Sequence, residues 1–232
     1  MNQRGFSLIE LMIVLVILLS ITGAIFQVIN MANQRSSTEQ SKVDMFQEAR
    51  EFMDQMSRDL RQAGYPNARN FTSGLITGTV VNDSRNAVGL VKVDTGDLWF
   101  EGDVDGTGIV SVVRYHLETS GTNCPCLQRS QVAKVTADPL IGQPDSYQVE
   151  VEGVQTTGTA IFSARSDGSA VGLPVTFTSS TAAAIDTIQA VLTLQSAVID
   201  PQTRTRPVTT LVTTVKLNNC SQAATGKSMS CY

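Results

Sequence analysis

Arg4-Gly5-Phe6-Ser7-Leu8-Ile9-Glu10-Leu11-Met12-Ile13-Val14-Leu15-Val16-Ile17-Leu18-Leu19 opens the chain, and its reading sets the fold. An apolar run starts directly after a glycine and continues through residues 6–29. As a helix it is long enough to cross a bilayer, which takes roughly 20 residues. One carboxylate, Glu10, lies inside the run. A charge at mid-membrane costs about 2.5–3.5 kcal/mol on insertion scales, and less near an interface. Glu10 is therefore a functional candidate that needs a partner. A secretory signal peptide has a shorter apolar core, and its small-residue cleavage site follows that core. Here the run is longer and the glycine precedes it.

This start resembles the N-terminus of type IV prepilins. Met1-Asn2-Gln3-Arg4-Gly5 matches their short charged leader, and Phe6-Ser7-Leu8-Ile9-Glu10 matches the motif that follows. The resemblance implies cleavage between Gly5 and Phe6 by a prepilin peptidase, with N-methylation of Phe6. It also implies a partner for Glu10, the new amino group of Phe6 on a neighbouring subunit. Opposite charges in a low-dielectric setting cost less together than apart.

The helix should continue beyond the membrane. Residues 30–63 hold no proline or glycine. Phe46, Ala49, Met53, Met56, Leu60 and Ala63 recur every three or four residues, which makes an apolar stripe on one face. Glu48, Arg50, Glu51, Asp54, Arg58, Asp59 and Arg61 fill most other positions. Gly64 and Pro66 then end the helix. A helix over residues 6–63 would be about 87 Å long at 1.5 Å per residue. Its amphipathic half should pack on the domain that follows. Gly23 is the sole glycine of the apolar half and lowers helix stability there by about 1 kcal/mol relative to Ala.

Beyond Pro66 the texture is that of short strands separated by Asn, Asp and Gly. Strands are expected at 75–81, 88–93, 98–100, 109–117, 147–154, 160–164 and 175–177. The strongest pair is 185–199 and 208–217, an antiparallel hairpin around the hydrophilic turn 200–207. The expected fold class is α+β, and the resemblance implies the type IV pilin fold: a long N-terminal helix whose apolar half would lie in the membrane or fibre core. Its amphipathic half packs on an antiparallel β-sheet domain. The divisions are 1–5 leader, 6–29 membrane or fibre-core helix, 30–63 amphipathic helix and 64–232 head. Looser matches point further. Asp59-Leu60-Arg61-Gln62-Ala63-Gly64-Tyr65 resembles the helix end of PilW-type minor pilins and of the related J-type pseudopilins of type II secretion. The acidic turn 101–108 followed by Val113-Arg114-Tyr115, and Val215-Lys216-Leu217-Asn218-Asn219, are similar to PilW-like segments.

Composition agrees with an exported β-rich protein. The 232 residues carry a net charge of −4, a pI near 5.0 and 16% charged residues, which gives no support for a broad basic nucleic-acid surface. By the positive-inside rule Arg4 and the amine favour a cytoplasmic N-terminus. The expected location is the inner membrane as a single-pass protein with a periplasmic head, then the pilus or cell surface. Expected partners are other major and minor pilins, prepilin peptidase, the inner-membrane assembly machinery and the membrane, with no specific nucleic acid.

Four cysteines suit a disulfide-permitting compartment and allow three pairings. Pilins commonly close the C-terminal region with a disulfide, which the resemblance assigns to Cys220 and Cys231. Cys124-Pro125-Cys126 stays open, because residues two apart bond only in a strained ring and each could pair elsewhere. Zinc finds no ligand set around the single histidine, His116. Asp103 and Asp105 offer alternate carboxylates on a glycine-containing loop, with Glu101 and Asp97 nearby, as calcium requires. The full EF-hand pattern is absent, and a solvated turn uses the same residues. No cofactor is expected, and calcium is the one candidate. No catalytic motif is present, and none of the carboxylates forms an acid/base constellation. Trp99 beside Phe100 reads as core or edge packing, and Arg204 and Arg206 as a solvated turn. The expected function is a minor pilin built into, or priming, a type IV pilus. The alternatives are a J-type pseudopilin and a pilin-anchored adhesin or ligand-binding module.

Overall fold

The computed structural model describes residues 7–67, 70–71, 79–122, 124–156, 158, 160–219, 221–222 and 229–230. Helix α1 spans Leu8–Gln62 without interruption. The chain forms two compact units. One comprises α1 through Asp44 with Ser196–Pro207; the other comprises Met45–Gln195 with the chain from Val208 onward.

In the first unit Ser196–Pro207 is a loop that closes on itself. The Asp200 N–H donates to the Thr205 carbonyl, the Arg204 N–H to the Asp200 carbonyl, and the Gln202 N–H to Asp200 Oδ1. Arg206 Nη1 donates to the carbonyls of Ala197 (2.7 Å) and Ser196 (3.3 Å). Arg206 is thus a brace within its own loop. Ser41 and Ser196 hydroxyls meet at 3.3 Å, and Lys42 lies between Glu39 and Asp200.

The second unit is the head. A long sheet runs β5-β4-β3-β2-β1-β8, all antiparallel. Its strands are β1 (Leu90–Val93), β2 (Asp97–Gly102), β3 (Ser111–Glu118), β4 (Cys126–Ala133), β5 (Tyr147–Val151) and β8 (Val175–Thr176). A second sheet, β10-β9-β6-β7, uses β6 (Phe162–Ser166), β7 (Ser169–Val171), β9 (Thr187–Gln195) and β10 (Val208–Lys216). Ser221–Gln222 and Met229–Ser230 pair as a small ribbon. The expected hairpin is present, with Val208 opposite Gln195 and Lys216 opposite Thr187. Ile188, Ala190, Leu192 and Leu194 point inward on alternate positions of β9.

Ala49, Phe52, Met53, Met56 and Leu60 of α1 join Leu98, Phe100, Val113, Tyr115, Leu127 and Leu192 in one core. The stripe differs from expectation at one position. Phe46 is exposed and Phe52 is buried. At about 100° per residue, Phe46 falls at the edge of the arc that Ala49, Met56 and Leu60 define, and Met45 takes the inner place. A smaller cluster of Val81, Val88, Val91 and Phe177, with Trp99 and Leu140 against it, covers another part of the head. Strand β3 buries five consecutive residues and does not alternate: Val113 and Tyr115 join the core, while Arg114 is buried against Trp99 and held by Asp145 and the Gln143 carbonyl.

Several elements depart from the sequence expectation. The strand expected at 75–81 lies largely outside the described residues, and Val80–Asn82 is a 3-10 turn. Strands β4 and β7 were not expected. Nor was α2 (Ser180–Ala184), whose N-terminus is capped by Ser179 Oγ accepting the Thr181 N–H. Strand β9 stops at Gln195, four residues before the expected 199, because Ser196 turns the chain and accepts the Val198 N–H.

The helix ends where Gly64 and Pro66 predict. Gly64 has φ 81°, and its N–H leaves the helix to donate to the Glu101 carbonyl (2.8 Å). The Asp103 N–H then donates to the Tyr65 carbonyl (2.8 Å), and Ala63 bridges Gly102. This stapling requires a glycine at 102. A Cβ there would clash with the Gln62 carbonyl oxygen and approach Ala63 Cα to 3.2 Å. Gly102→Ala should therefore destabilise the head by about 1–3 kcal/mol, as overpacking does. Urea unfolding of the full chain in detergent checks this, and an unchanged midpoint would refute the close approach.

Candidate functional site

Among the described residues of its own unit, none buries the apolar side chains in the N-terminal half of α1. From Leu8 to Met31 its large apolar side chains are 48–81% exposed. Its most apolar 18-residue window has a mean hydropathy of 2.7 and is 0% buried, so the helix is long and apolar enough to cross a membrane. Leu8 to Met31 rises about 36 Å at 1.5 Å per residue, against a hydrocarbon core of about 30 Å. The two hydroxyls in the run are satisfied locally. Ser20 Oγ donates to the Val16 carbonyl and Thr22 Oγ1 to the Leu18 carbonyl. Gly23 makes no close approach, since a Cβ there would meet nothing within 4 Å.

Glu10 sits in the first turn of this helix, exposed. The N–H groups of Glu10 and Leu11 donate to the Ser7 carbonyl, which starts the helix. The carboxylate lies near the positive end of the helix dipole. Among the described residues it has no ion-pair partner, and the next charge along α1 is Arg35. Gly5 and Phe6 lie outside the described residues, as do Cys220 and Cys231.

The head contains two buried polar clusters that sequence reading missed. Asp59 was expected on the polar face of the helix, yet it is 1% exposed. Its Oδ2 accepts from Tyr115 Oη (2.8 Å) and from Arg129 Nε (3.0 Å) and Nη2 (2.7 Å), while Oδ1 accepts from Gln55. Burial pushes the Tyr115 phenol well above its ordinary pKa, and the Asp59 charge adds to that. The cluster ties α1 to β3 and β4 by charge-assisted bonds. In the second cluster Lys134 and Glu101 form an ion pair at 2.7 Å with both side chains 0% exposed. Lys134 Nζ also donates to the carbonyls of Val81 and Asn86, and the Val88 N–H donates to Glu101 Oε2. Burial raises the Glu101 pKa and lowers that of Lys134, and their attraction offsets only part of this.

Glu101 and Asp97 therefore lie elsewhere than on the acidic loop. Glu101 is held by Lys134; Asp97 takes Lys92 Nζ (2.8 Å) and His116 Nδ1 (2.5 Å). Asp103 and Asp105 remain on the loop. The Gly108 N–H donates to Asp103 Oδ2 (2.9 Å), and the Thr107 N–H and hydroxyl to Asp105 Oδ1. Among the described residues no three His, Cys, Asp or Glu side chains are grouped to hold a metal ion. Trp99 is packed as a structural ring, with Arg114 Cζ 4.5 Å and Lys92 Nζ 4.9 Å from its centroid. His116 is a strand residue held by Asp97. Cys124 and Cys126, whose pairing the sequence leaves open, are bonded to each other, their Cα atoms 4.4 Å apart. The chain closes this small ring just as β4 begins.

Comparison with known families finds one match. A model described as the prokaryotic N-terminal methylation motif covers residues 1–26. Neither the curated proteins nor the solved structures gave a match to the chain. The motif implies membrane-associated assembly with other pilins. The methylation motif and the apolar helix that continues it, leading into an antiparallel head, support a type IV pilin-like protein.

Proposed function

We propose that this chain is a minor pilin of the PilW type, incorporated in a type IV pilus or priming its assembly. Glu10 carries the reading: one carboxylate in an exposed apolar helix, set directly behind a methylation motif. Removal of the leader after Gly5 frees the Phe6 amine, which N-methylation leaves able to carry a positive charge. Helices of neighbouring subunits bury their apolar halves together, and Glu10 of one sets its axial register on the Phe6 amine of the next. Both charges leave water in that packing, so each requires the other. The head stays in the periplasm during assembly and at the surface afterwards. The looser resemblances at 59–65, 101–108, 113–115 and 215–219 favour the PilW type, and the one at 59–65 is shared with J-type pseudopilins.

A strain lacking the chain separates these relatives. Sheared surface pili and secreted protein are measured together. Scarce pili with normal secretion is the expected result. Normal pili with blocked secretion would assign the chain to a secretion pseudopilus.

A further inference from the structure

The turn from β2 to β3 holds chemistry that fibre assembly does not use. Its sequence is Asp103-Val104-Asp105-Gly106-Thr107-Gly108-Ile109. Side-chain oxygens stand at the first, third and fifth positions, glycine at the sixth, and a backbone carbonyl follows at the seventh. That is the order in which the first half of an EF-hand loop presents oxygen to calcium. The order alone would describe many solvated turns, and the state of Asp103 sets this one apart.

Asp103 is 8% exposed. Its Oδ2 is held by the Gly108 N–H, while its Oδ1 is buried and has no hydrogen-bond partner among the described residues. Leaving a buried acceptor unsatisfied is costly, and more so when it is charged. The Asp103 N–H is fixed on the Tyr65 carbonyl, so main chain and side chain are both anchored. The Asp105 carboxylate stands on the same turn, its Oδ1 taking the Thr107 N–H and hydroxyl. Two carboxylates on one turn favour a cation between them.

We propose that Asp103, Asp105, Thr107 and the Ile109 carbonyl form a calcium site. The donors are all oxygen, which excludes a preference for zinc. A glycine-rich loop with few carboxylates suits calcium's loose geometry better than the strict octahedron of magnesium. The loop lacks the acidic residue that closes an EF-hand at its twelfth position. That position is Arg114, which is engaged with Asp145 and the Gln143 carbonyl. Water must complete the coordination, so binding belongs to the weak class of extracellular modules. Calcium bound here would rigidify the turn that the Asp103 N–H and the Glu101 carbonyl staple to the end of α1.

The test is calorimetric titration and thermal melting of the full chain in detergent micelles, with calcium chloride and, separately, magnesium chloride. The expected Kd for calcium is about 0.1–1 mM. The melting temperature should rise with calcium and stay put with equal magnesium. Asp105→Asn, on an exposed side chain, should leave the calcium-free melt unchanged and weaken calcium binding at least about tenfold, the proportion expected from losing one of two carboxylates. Absence of calcium heat and melting shift, an equal response to magnesium, or unaltered binding by Asp105→Asn would each overturn the proposal.

Discussion

Replacing Lys134 with methionine should lower the stability of the head by about 3–5 kcal/mol, the usual cost of stranding one member of a buried ion pair. Its ammonium has three N–H groups and three acceptors: Glu101 Oε2 and the carbonyls of Val81 and Asn86. Methionine fills much of the volume and supplies none of the donors. Glu101 would then keep a carboxylate at 0% exposure with the Val88 N–H as its remaining bond. The loss must depend on pH. Burial already raises the Glu101 pKa in the folded state, and without Lys134 the bond from the Val88 N–H is left as the main opposition to that shift. A folded carboxyl with a raised pKa holds its proton where the unfolded chain has released it. Stability is therefore full below the ordinary carboxylate range and falls as pH rises through the folded pKa. Lys134→Met should be clearly more stable at pH 5 than at pH 8. Adding Glu101→Gln removes the stranded charge and keeps an acceptor for Val88, so the double variant should recover most of the loss and its pH slope. The remaining deficit belongs to the carbonyls of Val81 and Asn86. Urea unfolding of the full chain in detergent at both pH values reads all of this. A loss below about 1 kcal/mol in Lys134→Met would mean that the pair is no more than a surface ion pair in effect.

That pair also shows where sequence reading stops. The long helix, its end at Gly64 and Pro66 and the β9–β10 hairpin all follow from local pattern: period, breaker, turn. Such signals sit within a few residues of what they determine. Asp59, by contrast, looks like one more charge on a charged helix face, and only Arg129, 70 residues on, makes its burial affordable. The same separation hid β4, whose Gln128, Arg129 and Gln131 break the apolar alternation because Arg129 is drawn inward by a remote partner. Glu101 stands two residues from Asp103 and reads as part of an acidic turn. Strand pairing places it instead where Lys134 reaches it. Phe46 and Phe52 are equally plausible stripe members by eye, and the rotation of the helix on the sheet chose between them. The N-terminal apolar helix was legible too, because a long apolar run and the one charge inside it are conspicuous without any partner in view.

Glu10→Ala should abolish incorporation into fibres while leaving the chain in the membrane. Alanine is the better helix former, which offsets the lost interaction of the carboxylate with the helix dipole, so a 55-residue α1 stays helical. Removing a carboxylate makes insertion easier, because a charge costs up to about 2.5–3.5 kcal/mol at mid-membrane. The helix and its anchoring therefore predict no loss, and any loss belongs to contact between subunits. Its size can be bounded. An ion pair at about 4 Å in an effective dielectric of about 20 gains about 4 kcal/mol, from which desolvation subtracts. Even a surplus of about 1.4 kcal/mol per subunit is tenfold in affinity. The alanine chain should also leave the Phe6 amine of its neighbour buried without a counter-charge, which adds to the deficit. Sheared fibres should then contain at least about tenfold less of the variant, at wild-type abundance in membranes, consistent with that surplus. Glu10→Gln has the same shape without the charge and should fail as alanine does, since the function assigned to Glu10 is electrostatic. Recovery of Glu10→Gln in fibres at the wild-type level would show that shape rather than charge sets the register. Loss of both variants from membranes would move the role of Glu10 from assembly to insertion, against the sign of the transfer energy.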